Sequence, residues 1–218
     1  NMTKWDVKQA LRLYLVTDHT WLDGRTLLQV TEEALKGGVT MVQLREKNIG
    51  QRELIALGKQ MLELTKAYHV PLIINDDVEA ALAIGADGVH VGQKDTCLQE
   101  ARRVLGPDHI VGVTCNRVDL AQAACAGGAD YLGVGAVFGS STKLDAKPLD
   151  HAILREICKV STVPVTAIGG INLNNVSQLA GNGIDGVAVI SGILAQPNIE
   201  ETARQFDLKL NDIVGAKA

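Results

Sequence analysis

Eight short apolar runs recur along the chain, each followed by an amphipathic stretch, and this alternation constrains the fold more than any other feature. The runs are Leu11–Thr17, Thr40–Arg45, Leu72–Asn75, Gly88–Val91, Ile110–Thr114, Tyr131–Val134, Val165–Ile168 and Gly186–Ile190. They are rich in Val, Ile and Leu and nearly continuous, as parallel strands covered on the outside should be. The stretches between them carry apolar residues at helical spacing, which predicts helices over Leu27–Lys36, Gln51–Tyr68, Val78–Ile84, Leu98–Leu105, Arg117–Ala126, His151–Lys159, Asn175–Ala180 and Ile199–Leu208. Eight strand–helix pairs within 218 residues match an α/β chain folded as a single-domain (β/α)₈ TIM barrel, with a doubly wound open sheet as the runner-up. The barrel is assigned to residues 11–210, with an N-terminal extension over 1–10, in which Asn1 reads as a tag remnant, and a tail over 211–218.

Composition narrows the function. The chain is 46% apolar and 21% charged, which excludes a disordered polymer. No apolar run approaches the roughly 20 residues of a membrane span, and the N-terminus has no apolar segment of a signal peptide. Two Trp, three Tyr and two Phe are too few for a stacking platform on single-stranded nucleic acid. A net charge of −4 gives no steering toward nucleic acid or an anionic membrane. The expected partners are therefore small molecules, and nothing in the pattern speaks against a homo-oligomer. Cys97, Cys115, Cys125 and Cys158 form no C-x-x-C pair. They read as free thiols of a cytoplasmic protein.

A short motif repeats before the strands: Gly85-Ala86-Asp87-Gly88, Gly128-Ala129-Asp130-Tyr131 and Gly183-Ile184-Asp185-Gly186. The glycine ends a helix and the aspartate is expected to hydrogen-bond its own turn. These motifs sit at strand N-termini, so their reading is structural.

In a barrel the chemistry gathers at the opposite, C-terminal strand ends. There the chain places Gln43-Leu44-Arg45-Glu46-Lys47, Asn75-Asp76-Asp77, Gly92-Gln93-Lys94-Asp95 and Thr114. Alternation puts Gln43, Arg45 and Lys47 on one side of strand two, a fork and a point charge for phosphate. A solvated charged strand end explains that cluster equally well. Asp76 and Asp95 at adjacent strand ends suit Mg²⁺, which takes one or two carboxylates plus phosphates and water, whereas Asp77 reads as a helix cap. His90 lies within strand four and reads as a packed core histidine or a substrate contact. The sixth loop carries Ser140, Ser141, Thr142 and Lys143, a set that resembles an anion cradle. The seventh and eighth carry Gly169-Gly170 and Ile190-Ser191-Gly192, where barrels commonly hold a phosphate. Two anion sites on one rim fit the joining of a diphosphate to a monophosphate.

The ordered set resembles the thiamine-phosphate synthase family. Its carriers are Leu13-Tyr14-Leu15-Val16-Thr17-Asp18, Gln43 to Lys47, Asn75-Asp76-Asp77, Asp87 to Gln93, Gly112-Val113-Thr114, Ser140 to Lys143, Ile168-Gly169-Gly170-Ile171 and Gly186 to Ser191. The resemblance implies a transferase that joins 4-amino-2-methyl-5-hydroxymethylpyrimidine diphosphate to 4-methyl-5-(2-phosphoethyl)thiazole, or its carboxylated form, and releases thiamine phosphate and diphosphate. It implies that Gln43, Leu44, Arg45, Glu46, Lys47, Asn75, Thr114 and Lys143 hold the pyrimidine diphosphate, with Arg45, Lys47 and Lys143 catalytic. It implies that Asp76 and Asp95 bind Mg²⁺, and that Ser140, Ser141, Thr142, Gly170, Ile190 and Ser191 hold the thiazole phosphate. Ala136 and Gly139 stand where the family usually has prolines, which leaves the sixth loop more to order on binding. The absence of a Ser/His/Asp or Cys/His constellation suits a dissociative substitution that needs no general base. A thiazole tautomerase-like isomerase on the same fold is the alternative, but it has no use for the whole diphosphate-and-metal set.

Overall fold

A computed structural model describes residues 3–139 and 147–215. Its strands are β1 Leu13–Val16, β2 Met41–Leu44, β3 Leu72–Asn75, β4 Gly88–Val91, β5 Ile110–Cys115, β6 Tyr131–Val134, β7 Val165–Ile168 and β8 Gly186–Val189. They pair in parallel in sequence order, and β8 returns to β1 with Leu13 opposite Val187. The sheet therefore closes, and the open-sheet alternative is set aside. The helices are α1 Val7–Ala10, α2 Leu27–Gly37, α3 Gln51–Ala67, α4 Val78–Ile84, α5 Asp95–Leu105, α6 Val118–Ala126, α7 His151–Val160, α8 Ser191–Leu194 and α9 Ile199–Val214.

Local chemistry explains the element ends. Thr26 and Gln29 form a reciprocal capping box at the start of α2. Asp77 caps α4 by accepting from the Ala80 amide at 2.9 Å, as its position predicts. Gly38 closes α2 in a left-handed conformation, φ 116°. Gly37 stays helical for a different reason: a Cβ there would lie 2.3 Å from the Glu200 carbonyl oxygen, so glycine lets α9 lie directly on α2.

The expected helix at Asn175–Ala180 is only a 3₁₀ turn, Val176–Leu179. The left-handed Gly181 and Gly183 that follow it, φ 82° and 88°, prevent extension. Helices α1 and α8 were not expected, because four residues carry no periodicity. Helix α5 starts three residues earlier than expected, since its first turn is polar.

Strand alternation sorts the core into two layers. Leu13, Val42, Leu44, Ile74 and Val89 face outward under the helices. Tyr14, Met41, Ile73, Ile110, Tyr131 and Ala188 fill the bore, closed at the N-terminal end by Val7, Ala10 and Leu11. Gly112 makes room for the Tyr131 ring, since a Cβ there would lie 2.0 Å from it.

The repeated aspartates reach across to the preceding strand rather than to their own turns, which corrects the expectation. Each sits immediately before an even-numbered strand and accepts an amide of the preceding strand: Asp87 from Leu72 at 2.8 Å, Asp130 from Val111 at 2.8 Å, Asp185 from Val165 at 2.9 Å. Each also donates its own amide back to the same residue's carbonyl. Thr40 makes the same reciprocal pair with Leu13 before β2. The N-terminal rim thus carries four equivalent latches, joining β1 to β2, β3 to β4, β5 to β6 and β7 to β8.

Arg12, 4% exposed, ties the last helix to the same rim. Its guanidinium bonds the Asp207 carboxylate at 3.1 Å, the Asn211 side-chain oxygen at 2.9 Å, and the carbonyls of Asp207 and Gly215.

Candidate active site

The C-terminal strand ends enclose a cavity of about 140 Å³ lined by Tyr14, Gln43, Arg45, Asn75, His90, Thr114, Thr166, Ile168 and Ile190, among others. That is close to the ~150 Å³ of a cavity that holds one benzene. Two larger hollows, of about 470 and 450 Å³, open beside Trp5 at the opposite end, away from the face where barrels place their chemistry.

The period of two that buries Val42 and Leu44 outside the barrel turns Gln43 and Arg45 toward this mouth. Arg45 is positioned by its amide, which donates to Thr17 Oγ1 at 3.0 Å, and its guanidinium lies 3.8 Å from Asp18. Lys47 on the rim pairs with Asp76 at 3.3 Å, and the Asn75 carboxamide donates to the same carboxylate oxygen. Two ion pairs, Arg45 with Asp18 and Lys47 with Asp76, thus stand on neighbouring strand ends. Leu44 lies wholly in the outer layer, leaving only its main chain on the mouth side. The Glu46 carboxylate, 6% exposed, bonds His19 at 2.9 Å and so ties the β2 loop to the β1 loop.

Asp76 adopts φ 61°, a left-handed conformation that costs a non-glycine residue about 1 kcal/mol or more. Its amide donates to the His90 carbonyl at 2.9 Å, which fixes that backbone and leaves the carboxylate exposed on the rim. Among the described residues no three His, Cys, Asp or Glu side chains converge as a metal cage. One exposed carboxylate on an open rim is a hard, incomplete donor set. It fits Mg²⁺, which completes its shell with phosphate oxygens and water, better than a metal needing a full protein cage. Asp95 is the first residue of α5. Its side chain lies outside the described residues, as do Ser140, Ser141, Thr142 and Lys143.

On the far side, Gly169 and Gly170 take φ 113° and 64°. A Cβ on Gly169 would meet Ala136 at 2.5 Å, so glycine lets the sixth and seventh loops touch. Val137 and Phe138 donate their amides to Ile168 and Gly169 carbonyls, which fixes the stem of the sixth loop. Asn172 and Asn175 brace the glycine turn: Asn175 Nδ2 donates to the Gly170 carbonyl at 2.8 Å, and each side-chain oxygen accepts from the other's amide. Ile190 and Ser191 follow β8 directly, with Ser191 opening α8.

Beneath the mouth lies a polar chain that strand alternation did not reveal. Gln43 Nε2 donates to the Tyr14 hydroxyl at 2.9 Å, and Tyr14 and Tyr131 hydroxyls meet at 2.7 Å. Tyr131 reaches His90 Nδ1 at 2.9 Å, and His90 Nε2 reaches Thr114 Oγ1 at 2.7 Å. Burial raises both phenols above their ordinary range and lowers His90 to about 4, with the Asp76 charge opposing the latter shift. All five groups are therefore neutral near pH 7. The Tyr14 and Tyr131 signals were present in the sequence as two aromatics at inward positions. The Thr166 hydroxyl, 1% exposed on the cavity wall, has no hydrogen-bond partner among the described residues. Its sequence context, a threonine inside an apolar strand, gave no hint of that.

The chain matches the family described as thiamine monophosphate synthase over residues 13–193. It is 47% identical over 194 residues to a thiamine-phosphate synthase of Clostridium tetani, an alignment covering 89% of this chain and 93% of that protein. It is 44% identical over 207 residues to thiamine-phosphate synthase 2 of Streptococcus pneumoniae, covering 95% of this chain and 99% of that protein. A thiamine phosphate pyrophosphorylase structure from Pyrococcus furiosus superposes with a TM-score of 0.88 at 33% identity, covering 96% of this chain and 100% of that one.

Proposed function

Because the chain belongs to the thiamine monophosphate synthase family and is a transferase that makes thiamine phosphate, we propose that its barrel mouth seats the aminopyrimidine diphosphate in the bore and the thiazole phosphate on the rim above it. The observation that carries this reading is the one-ring cavity between Gln43, Asn75 and Thr114, with Arg45 at its lip and Lys47 on the rim beside Asp76. The diphosphate attached to a ring in that cavity emerges toward Arg45 and Lys47, and Lys143 would complete the cationic set. Asp76 and Asp95 would hold Mg²⁺, which when bound neutralises diphosphate charge. Gly170, the main chain of Ile190 and Ser191, and the hydroxyls of Ser140, Ser141 and Thr142 would hold the thiazole phosphate. Leu44 and Glu46 would serve through the main chain and through loop position respectively.

In the reaction the methylene C–O bond breaks and its electron pair leaves with the diphosphate. The thiazole nitrogen then gives its lone pair to the methylene carbon. Arg45, Lys47 and Lys143 stabilise the charge that grows on the leaving group, and the stacked order of the two rings supplies positioning. No proton moves to or from the nitrogen, so no base is needed. A neutral His90, bonded at both ring nitrogens, is consistent with that. The isomerase alternative is not favoured, since it leaves the cationic lip without a purpose.

The test combines purified protein, both substrates and Mg²⁺, with chromatographic detection of thiamine phosphate and diphosphate. Product requiring both substrates and Mg²⁺ is expected, and a folded protein yielding none overturns the reading. Arg45→Ala and Lys143→Ala should each lower kcat/KM by about two orders of magnitude, a loss of the size seen for one charge-stabilising group. Both variants should retain the parent melting temperature.

A further inference from the structure

We propose that Tyr14, Tyr131 and His90 are positioning residues that form a hydrogen-bond relay, tying the donor or acceptor state of Gln43 to that of Thr114. The inference rests on the synthase reading for its ligand, but the relay itself is a property of the chain alone.

Five groups are linked by four contacts of 2.7–2.9 Å. Each phenol has one proton, and a neutral imidazole has one N–H. Tyr14 and Tyr131 are 1% and 0% exposed, so no water competes for their hydroxyls. With four contacts to fill, each needs one proton, and only two arrangements fill them all without leaving a buried phenol proton lacking an acceptor. In the first, Gln43 Nε2 donates to Tyr14, Tyr14 to Tyr131, Tyr131 to His90 Nδ1, and His90 Nε2 to Thr114. Thr114 then turns its own proton toward the mouth, and Gln43 presents its carbonyl oxygen. In the second every direction reverses: the Gln43 amide turns over, Thr114 donates to His90, and Thr114 presents only lone pairs. A mixed arrangement either sets two donors or two acceptors face to face or leaves a buried phenol proton without an acceptor, which costs about tenfold in an equilibrium.

Gln43 and Thr114 both line the one-ring cavity. The site therefore offers a donor and an acceptor together, in one sense or the other, and never two of a kind. The amide orientation in the structure corresponds to the first arrangement. That sense suits a ring with an amino group toward Gln43 and a ring nitrogen toward Thr114. A 4-oxo pyrimidine reverses this pattern and demands reversal of the whole chain.

The test needs no turnover. Nitrogen-15 NMR of imidazole-labelled full-length protein at pH 8 should show His90 as a single tautomer protonated at Nε2. Gln43→Glu, three hydrogen bonds away, offers only acceptors and should move the His90 proton to Nδ1. The same substitution in a Tyr131→Phe background should leave the His90 tautomer as it is in Tyr131→Phe alone. A His90 tautomer unmoved by Gln43→Glu, or moved equally in both backgrounds, overturns the relay. If Gln43→Glu does not fold, discrimination carries the test. The preference for the amino over the 4-oxo pyrimidine diphosphate, as a kcat/KM ratio, should fall about tenfold in Tyr14→Phe and in Tyr131→Phe. It should fall no further in the double variant, because one break uncouples the ends. Unchanged discrimination, or two effects that multiply, overturns the relay. A parent protein that makes no thiamine phosphate overturns the synthase reading instead and leaves the tautomer experiment intact.

Discussion

At the scale of single residues, the mouth of this barrel trades stability for polar groups aimed at a ligand. Thr166 is the plainest case. Its hydroxyl is buried on the cavity wall without a partner among the described residues, and a buried unsatisfied hydroxyl costs about 1–3 kcal/mol. Thr166→Val keeps the shape and removes the cost. Chemical denaturation should show the variant about 1 kcal/mol more stable, while KM for the pyrimidine diphosphate rises. A variant both more stable and kinetically unchanged would mean the hydroxyl faces no ligand. The residues legible in the sequence were those set by alternation and charge, such as Gln43, Arg45 and Asp76. Tyr14, Tyr131 and Thr166 escaped because their roles depend on distances across the bore, between strands far apart in the chain. Tyr14 and Tyr131 are separated by 117 positions, and no local pattern reports such a pair.

At the scale of elements, the apolar alternation located all eight strands and seven of the eight expected helices, six of them to within a few residues at both ends. What it missed is physically uniform: α1 and α8 are single turns, and the 3₁₀ turn after β7 replaces a helix that two left-handed glycines cut short. Helix α9 ran six residues past its expected end at Leu208. Its last turns are held by Arg12, through its bonds to Asp207, Asn211 and Gly215, as well as by Leu210, Ile213 and Val214 packed on the core. Arg12→Ala removes a buried charge-assisted network and should destabilise the protein by about 2–4 kcal/mol. Hydrogen exchange should quicken first over residues 207–214. Uniform quickening of the whole chain would show instead that α9 does not release on its own.

At the scale of the whole molecule, function and stability occupy opposite rims. The polar groups that face a ligand sit at the C-terminal strand ends, whereas Thr40, Asp87, Asp130 and Asp185 close the N-terminal rim. Asp130 is the most deeply held of these, since Arg102 also bonds its carboxylate at 2.7 Å. Asp130→Ala leaves the Val111 amide without a partner and Arg102 without its carboxylate, though still on the carbonyls of Gly106, His109 and Gly128, and should cost about 3 kcal/mol. At a temperature where the variant is fully folded, kcat should equal that of the parent. A fall in kcat would show that strain crosses the barrel from rim to rim.

The latches also divide the ring unequally. Each joins an odd strand to the even strand after it, across sequence separations of 15–27 residues. Among the described residues, the borders β2/β3, β4/β5, β6/β7 and β8/β1 carry no such side-chain clasp. The barrel is thus four stitched petals, and thermal breathing should part it along the unstitched borders. Strand amides that bond across those four borders should exchange sooner than amides inside a petal, giving the hoop a fourfold rhythm of opening.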